Sequence, residues 1–291
     1  MTERTVDVSA VELLADDSHR FSLSLYRTSG EPKAVLIFLS ALGTPARVYG
    51  RFARELVGHG IHVATPDWRG IGSSSLRAGR GSDFGYRHLL EHDLTATLAL
   101  FAHRFPDLPV WIGGHSLGGQ LALLTAATHQ QQIAGVVLVA SGSVFLRGYS
   151  PKLQRSIRGL IWLSRLTTPV FGYFPGQHLG FGGREARRVM RDWSNVALTG
   201  EYRPHGSRHD YEAGLCKLNC PVLALNFAAD AWSPAGAIDE LLRKIPDHSR
   251  TKWLWDSSQC GGHAFDHFSW TKQPALITPA IAGFITQAAR G

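Results

Sequence analysis

The chain has 291 residues, a formal charge of +7, 44% hydrophobic residues and 18% charged ones, which is the balance of a soluble globular protein with ample core material. No apolar run approaches the roughly 18 residues a bilayer span needs, so stable membrane insertion is not expected. Met1-Thr2-Glu3-Arg4 lacks the basic and apolar regions of a secretory leader, and Cys216, Cys220 and Cys260 form no metal-ligand pattern. A cytoplasmic setting with reduced thiols is therefore expected.

The first thirty residues read as an antiparallel entry, Thr5 to Leu14 and then Arg20 to Tyr26. From Pro32 onward strand and helix patterns alternate, which predicts a mostly parallel sheet with helices on both faces. Ala34 to Leu39 is a continuous apolar strand, Tyr49 to His59 a helix, Ile61 to Thr65 the next strand, and His88 to Phe105 a long helix. Pro109 to Ile112 is a strand, Gln120 to His129 a helix rich in Leu and Ala, and Ile133 to Ala140 a further apolar strand.

The alternation then stops. Phe145 to about His209 carries helical periodicity without a buried strand, beginning at Ser150-Pro151, where serine capping and first-turn proline mark a helix start. A glycine-rich break at 172–183 precedes a second helix with Arg187, Arg188, Val189 and Trp193. Between Arg147 and Arg208 eleven basic residues face Glu185, Asp192 and Glu201, a balance of +8, so this stretch holds the whole charge excess. With no nucleic-acid motif beside it, the stretch reads first as a solvated basic surface, with attraction to an anionic substrate or carrier as the sharper alternative. Residues 150–166 also have the basic amphipathic character of a membrane-touching helix, although a packed helix with solvated arginines is the expectation. Strand and helix resume with Pro221 to Phe227, Pro234 to Ile245, Thr251 to Trp255 and Pro274 to Ala289.

Gly113-Gly114-His115-Ser116-Leu117-Gly118-Gly119 sets one serine between glycines where a strand passes into a helix. So tight a turn excludes neighbouring Cβ atoms and holds the hydroxyl at a helix N-terminus, whose amides favour negative charge. The pattern Gly-x-Ser-x-Gly resembles the nucleophile elbow of the α/β-hydrolase superfamily. Asp67-Trp68-Arg69-Gly70-Ile71-Gly72-Ser73 resembles a structural turn common there. Within the superfamily, Ser40-Ala41-Leu42-Gly43, Gly172-Tyr173-Phe174-Pro175-Gly176 and Arg191-Asp192-Trp193 resemble a group of bacterial hydrolases related to the serine aminopeptidase-like and monoacylglycerol lipase-like branches.

The resemblance implies an eight-stranded α/β-hydrolase core over 1–144 and 210–291, with a helical lid at 145–209 inserted after the sixth strand. A serine nucleophile needs a base and an orienting carboxylate. Asp230 follows the strand Val222 to Phe227 and precedes a helix start, while Ser141-Gly142-Ser143 leaves the alternative acid position empty. His263, after Gly261-Gly262, is the expected base because glycine lets the backbone bend the imidazole toward serine; His267 is the alternative. The oxyanion hole is expected from the amides of Leu117 and Leu42, with Ala41 as the replacement for Leu42. Many relatives have His-Gly where this chain has Ser40-Ala41, a departure that a backbone donor tolerates.

The expected activity is hydrolysis of a carboxylic ester or thioester, a small-molecule substrate with an apolar acyl part. Leu160, Ile161, Trp162, Phe171, Tyr173 and Phe174 are candidates to wall the pocket. Acyl transfer to another nucleophile is the first alternative, followed by peptidase or amidase action and a non-catalytic binding protein. No metal or organic cofactor is demanded, and dehalogenase or epoxide hydrolase chemistry would need aspartate in place of Ser116.

Overall fold

A computed structural model describes residues 6–288. Met1 to Thr5 and Ala289 to Gly291, with the expectations placed on them, lie outside the described residues. In chain order the first half contains β1 (Asp7–Leu14), β2 (Arg20–Arg27), β3 (Ala34–Leu39), α1 (Gly50–Gly58) and β4 (Ile61–Pro66). It continues with α2 (Tyr86–His88), α3 (Thr95–Arg104), β5 (Val110–His115), α4 (Leu117–Thr128) and β6 (Gly135–Val139). The second half adds α5 (Pro151–Phe171), β7 (Tyr173–Pro175), β8 (Arg184–Ala186), α6 (Arg187–Thr199) and α7 (Tyr211–Cys216). It ends with β9 (Val222–Phe227), α8 (Ala235–Leu242), β10 (Arg250–Trp255) and α9 (Thr278–Ala288).

Eight strands form one sheet in the order β1-β2-β4-β3-β5-β6-β9-β10. β1 and β2 are antiparallel entry strands, and every pairing from β4 to β10 is parallel. The mostly parallel eight-stranded sheet with helices on both faces is thus present. β3, β4, β5, β6 and β9 are buried along their whole lengths, in keeping with their largely apolar sequences and with helices covering both faces. Two apolar layers result, one holding Ile37, Leu121, Val136 and Trp193 and the other Phe38, Phe52, Trp111 and Trp270.

A parallel sheet sends the carboxyl ends of its strands to one edge, where open α/β folds gather their ligand-contacting loops. The loops leaving β3, β5, β6, β9 and β10 carry Ser40 to Gly43, Ser116, Ser141 to Ser143, Asp230 and His267 respectively. Behind them the Asp67 to Ser73 turn is structural, as expected. Asp67 accepts from the amides of Ala46 and Ser73, and the Trp68 indole donates to the Ser40 carbonyl at 2.8 Å. Arg69 reaches Asp93 at 2.6 Å, and Asp93 sits in a π-helical turn, Leu89–Leu94, that splits the expected long helix into α2 and α3.

Two local details of the inserted stretch differ from expectation. Pro151 does fill the first turn of α5, but Ser150 holds that turn through its carbonyl, which accepts from Gln154, and not through its hydroxyl. The glycine-rich break contains β7, which pairs antiparallel with β8 as a two-stranded hairpin. Three-residue strands are too short to leave a period in the sequence. Among the described residues no helix is long and apolar enough to cross a membrane. Cys216 is exposed, Cys220 and Cys260 are buried, and all three are free.

Candidate active site

Ser116 has φ +54° and ψ −120°, a conformation that a residue with a side chain holds only when its surroundings impose it. The surroundings are backbone. A Cβ on Gly114 would lie 2.4 Å from the Gly118 carbonyl carbon, and one on Gly118 would lie 2.3 Å from the Leu39 carbonyl oxygen. The glycine at 118 therefore lets the loop after β3 press against the first turn of α4. That approach brings Leu42 and Leu117 to the same cavity as the Ser116 hydroxyl.

The Ser116 Oγ stands 2.9 Å from Nε2 of His267, and Nδ1 of His267 stands 2.8 Å from Oδ2 of Asp230. Asp230 is 2% exposed, and its other oxygen accepts from the amides of Trp232 at 2.8 Å and Ser233 at 3.1 Å. Those two bonds fix the carboxylate's orientation and compensate its burial. Asn226 at the end of β9 braces the same loop, donating to the Ser233 hydroxyl and the Ser141 carbonyl.

His263 is not part of this arrangement. Its ring is exposed, stacked on Phe265 and approached at 3.4 Å by the Gln273 amide. The correction has a local cause: Gly261 and Gly262 have φ of +60° and +87° and close a turn, with Gly262 donating to the Ser257 carbonyl and His263 to that of Cys260. The glycines shape the loop and direct His263 outward. His267 is held by its neighbours: Phe265 is buried edge-on against Phe227, and Asp266 accepts from the amides of Phe268 and Ser269 to start a short 3₁₀ turn. Burial alternates from Phe265 through exposed Asp266 to His267, and the sequence signal for it was Asp266 as the turn's cap beside the anchoring Phe265.

Ala41 is excluded as an oxyanion donor, because its amide already donates to the Tyr49 hydroxyl at 3.0 Å. The Tyr49 hydroxyl in turn shares a hydrogen bond with Nδ1 of His115, at 2.9 Å. The amides of Leu42 and Leu117 have no protein acceptor among the described residues, and both residues line the cavity. Ser40 is fully buried, its hydroxyl has no partner among the described residues, and it is not one of the residues lining the cavity. His115 packs behind His267, ring centres 4.7 Å apart; burial first, and then the charge of His267, hold it neutral with its pKa well below the usual histidine value.

The cavity over Ser116 has a volume of about 80 Å³. From residues 145–209 its wall takes Tyr149, Ile157, Gly180, Phe181, Gly182 and Trp193, and none of the six aromatic and aliphatic residues expected from the sequence. Trp162 and Phe171 are instead exposed, and Ile161 and Phe174 are buried in the core. Tyr149 donates its hydroxyl to the Trp232 carbonyl at 3.0 Å, which ties the start of the insertion to the Asp230 loop.

Fold and geometry together define an α/β-hydrolase with a serine, a histidine and an aspartate aligned at the carboxyl edge of its sheet. Residues 30–195 match the family described as Serine aminopeptidase, S33, and the chain belongs to that family. Over 115 residues it is 33% identical to the human monoglyceride lipase, an alignment covering 40% of this chain and 37% of that protein. It is 32% identical over 121 residues to the pimeloyl-[acyl-carrier protein] methyl ester esterase of Salmonella heidelberg, covering 41% of each. The chain thus spans about two fifths of the length of these curated relatives. A thermophilic esterase from Thermogutta terrifontis shares the fold at a TM-score of 0.60 and 18% identity, over 97% of this chain and 99% of that one.

Proposed function

We propose that the protein hydrolyses a carboxylic ester or thioester with a short apolar acyl group, through an acyl-serine intermediate on Ser116. The observation that carries this reading is the relay from Ser116 Oγ to His267 at 2.9 Å and from His267 to Asp230 at 2.8 Å. His267 takes the hydroxyl proton as Ser116 attacks the carbonyl carbon, then gives it to the leaving alcohol or thiol. Asp230 holds the tautomer and stabilises the imidazolium that forms between those steps. The amides of Leu42 and Leu117 donate to the oxyanion as negative charge develops. In the second half-reaction His267 deprotonates water as its oxygen attacks the acyl carbonyl carbon; the bond from that carbon to Ser116 Oγ then breaks, His267 returns the proton to Oγ, and the carboxylic acid leaves.

Support for an apolar acyl group comes from Leu42, Val144, Ile157, Phe181, Trp193 and Trp232 around the cavity. Support for a short one comes from its volume, about 80 Å³, against roughly 150 Å³ for an engineered cavity that takes benzene. Residues 145–209 act in this reading as the cap that supplies Ile157, Phe181 and Trp193. The lipase and esterase names of the relatives agree with ester cleavage as the reaction class.

The test pairs a fluorophosphonate probe with p-nitrophenyl esters of increasing chain length, each against Ser116→Ala. Probe adduct on Ser116 and turnover that peaks at acetate or butyrate are expected. Turnover no higher than that of Ser116→Ala at every chain length would overturn the esterase reading.

A further inference from the structure

A second cavity, of about 580 Å³, opens between α5 and α6. None of its lining residues lines the cavity over Ser116, yet the two share α6 as a wall: Trp193 faces the first, and Asp192 and Ser194 line the second. Four arginines, Arg165, Arg187, Arg191 and Arg203, converge on it together with His205.

The charges do not cancel there. Asp192 is spent on backbone, accepting from the amides of Tyr86 at 2.8 Å and His205 at 2.9 Å. Arg187 pairs with Asp83, and Arg203 with Glu201. Arg165 and Arg191 form no salt bridge among the described residues, Arg191 attracting Asp192 only at longer range, so the four arginines outnumber the two acids, Asp192 and Glu201, around the cavity. A second observation is independent of charge. Ser194, only 5% exposed, is one of the residues lining the cavity, and its buried hydroxyl has no hydrogen-bond partner among the described residues. A buried hydroxyl left without a partner is costly, a cost that a ligand oxygen reaching it would relieve.

We propose that this cavity is a binding site for a phosphate-type anion, with Arg165 and Arg191 supplying charge and Ser194 a buried donor. Guanidinium groups bind phosphate through paired parallel hydrogen bonds, and a hydroxyl adds a short directional one. The phosphate can belong to a soluble metabolite or to a lipid headgroup. The neighbouring surface favours the lipid: Trp162, Leu166 and Val170 form an exposed stripe at i, i+4 and i+8 along α5, beside Arg165, with Trp162 64% exposed. The site stands apart from the proposed ester chemistry and does not depend on it.

The experiment titrates the full chain at low ionic strength with inorganic phosphate and with glycerol 1-phosphate by calorimetry. In parallel it floats the chain with vesicles of phosphatidylcholine alone or with added phosphatidylglycerol. Saturable binding of one of these phosphate probes is expected, weakened about tenfold or more by Arg165→Ala with Arg191→Ala at an unchanged melting temperature. The corresponding lysine pair should retain most of it. Flotation that needs phosphatidylglycerol and is lost in Trp162→Ala with Leu166→Ala assigns the anion to a lipid; phosphate binding without flotation assigns it to a free metabolite. Absence of saturable binding to every probe, or binding equally strong in the double alanine variant, would overturn the proposal.

Discussion

The serine turn at 113–119 and the histidine loop at 256–268 deliver two halves of one relay, yet they are built on opposite terms. In the serine turn, backbone meets backbone, and a Cβ at Gly118 would collide with the Leu39 carbonyl at 2.3 Å. In the histidine loop a Cβ on Gly262 would meet nothing within 4 Å. The first is determined by steric exclusion within a short segment. The second takes its shape from distant anchors, Phe265 on Phe227 and the Asp266 cap. Glycine beside a functional residue therefore has two meanings, and only the packing around it separates them.

The sharpest way to break this comparison exchanges the two histidines. His267→Ala should lower ester turnover by about 10⁴-fold or more, as loss of the base does in serine hydrolases, while His263→Ala should stay within about twofold. Steady-state kinetics with a short-chain ester reads both. Equal losses would return His263 to the site.

The glycines provide the next contrast. Gly118→Ala should cost about 3 kcal/mol or more in denaturant unfolding, since the loop after β3 must be displaced. Gly262→Ala has open space but keeps φ at +87°, so about 1–2 kcal/mol of backbone strain is expected and turnover should survive. A Gly118→Ala protein as stable as Gly262→Ala would remove the steric argument for the serine turn.

A smaller and pH-dependent effect sharpens the role of the insertion. Glu185 is buried behind the loop after β3, bonded to the Gly183 amide, and burial lifts its carboxyl from an ordinary 4.5 to about 7. The folded state then holds a proton that the unfolded chain releases, so stability from this group is full below about pH 4.5 and falls as pH rises through about 7. Glu185→Gln removes that dependence, and its stability relative to the parent should rise across this window by up to about 3 kcal/mol. Urea unfolding at a series of pH values measures it, and a pH-independent difference would place the carboxylate in an ionised, compensated state.

Much of the fold was legible because its signals are local. The unbroken apolar run at Ala34 to Leu39 and the largely apolar segments at Ile61 to Thr65 and Pro221 to Phe227 predict strands covered on both faces, and the structure has strands at all three. Missed were the β7–β8 hairpin, too short for periodicity, and the π-helical turn at Leu89–Leu94, which brings Asp93 to Arg69 across 24 residues of chain. The expected pocket wall failed for a related reason. Trp162 and Ile157 lie on one helix with the same apolar character, and only the docking angle of α5 decides that Ile157 faces Ser116 and Trp162 faces solvent.

By itself the sequence determined the parallel sheet, the break in strand–helix alternation after β6 and the strand-to-helix turn at Ser116, because alternating burial, chain punctuation and glycine sterics act over a few residues. Tertiary structure alone decided that His267 and not His263 meets Ser116, that the Ala41 amide is occupied by Tyr49, and that two cavities share α6 as a wall. Each of those depends on the relative placement of segments far apart in the chain, where packing, not local preference, sets which atoms come within hydrogen-bonding distance.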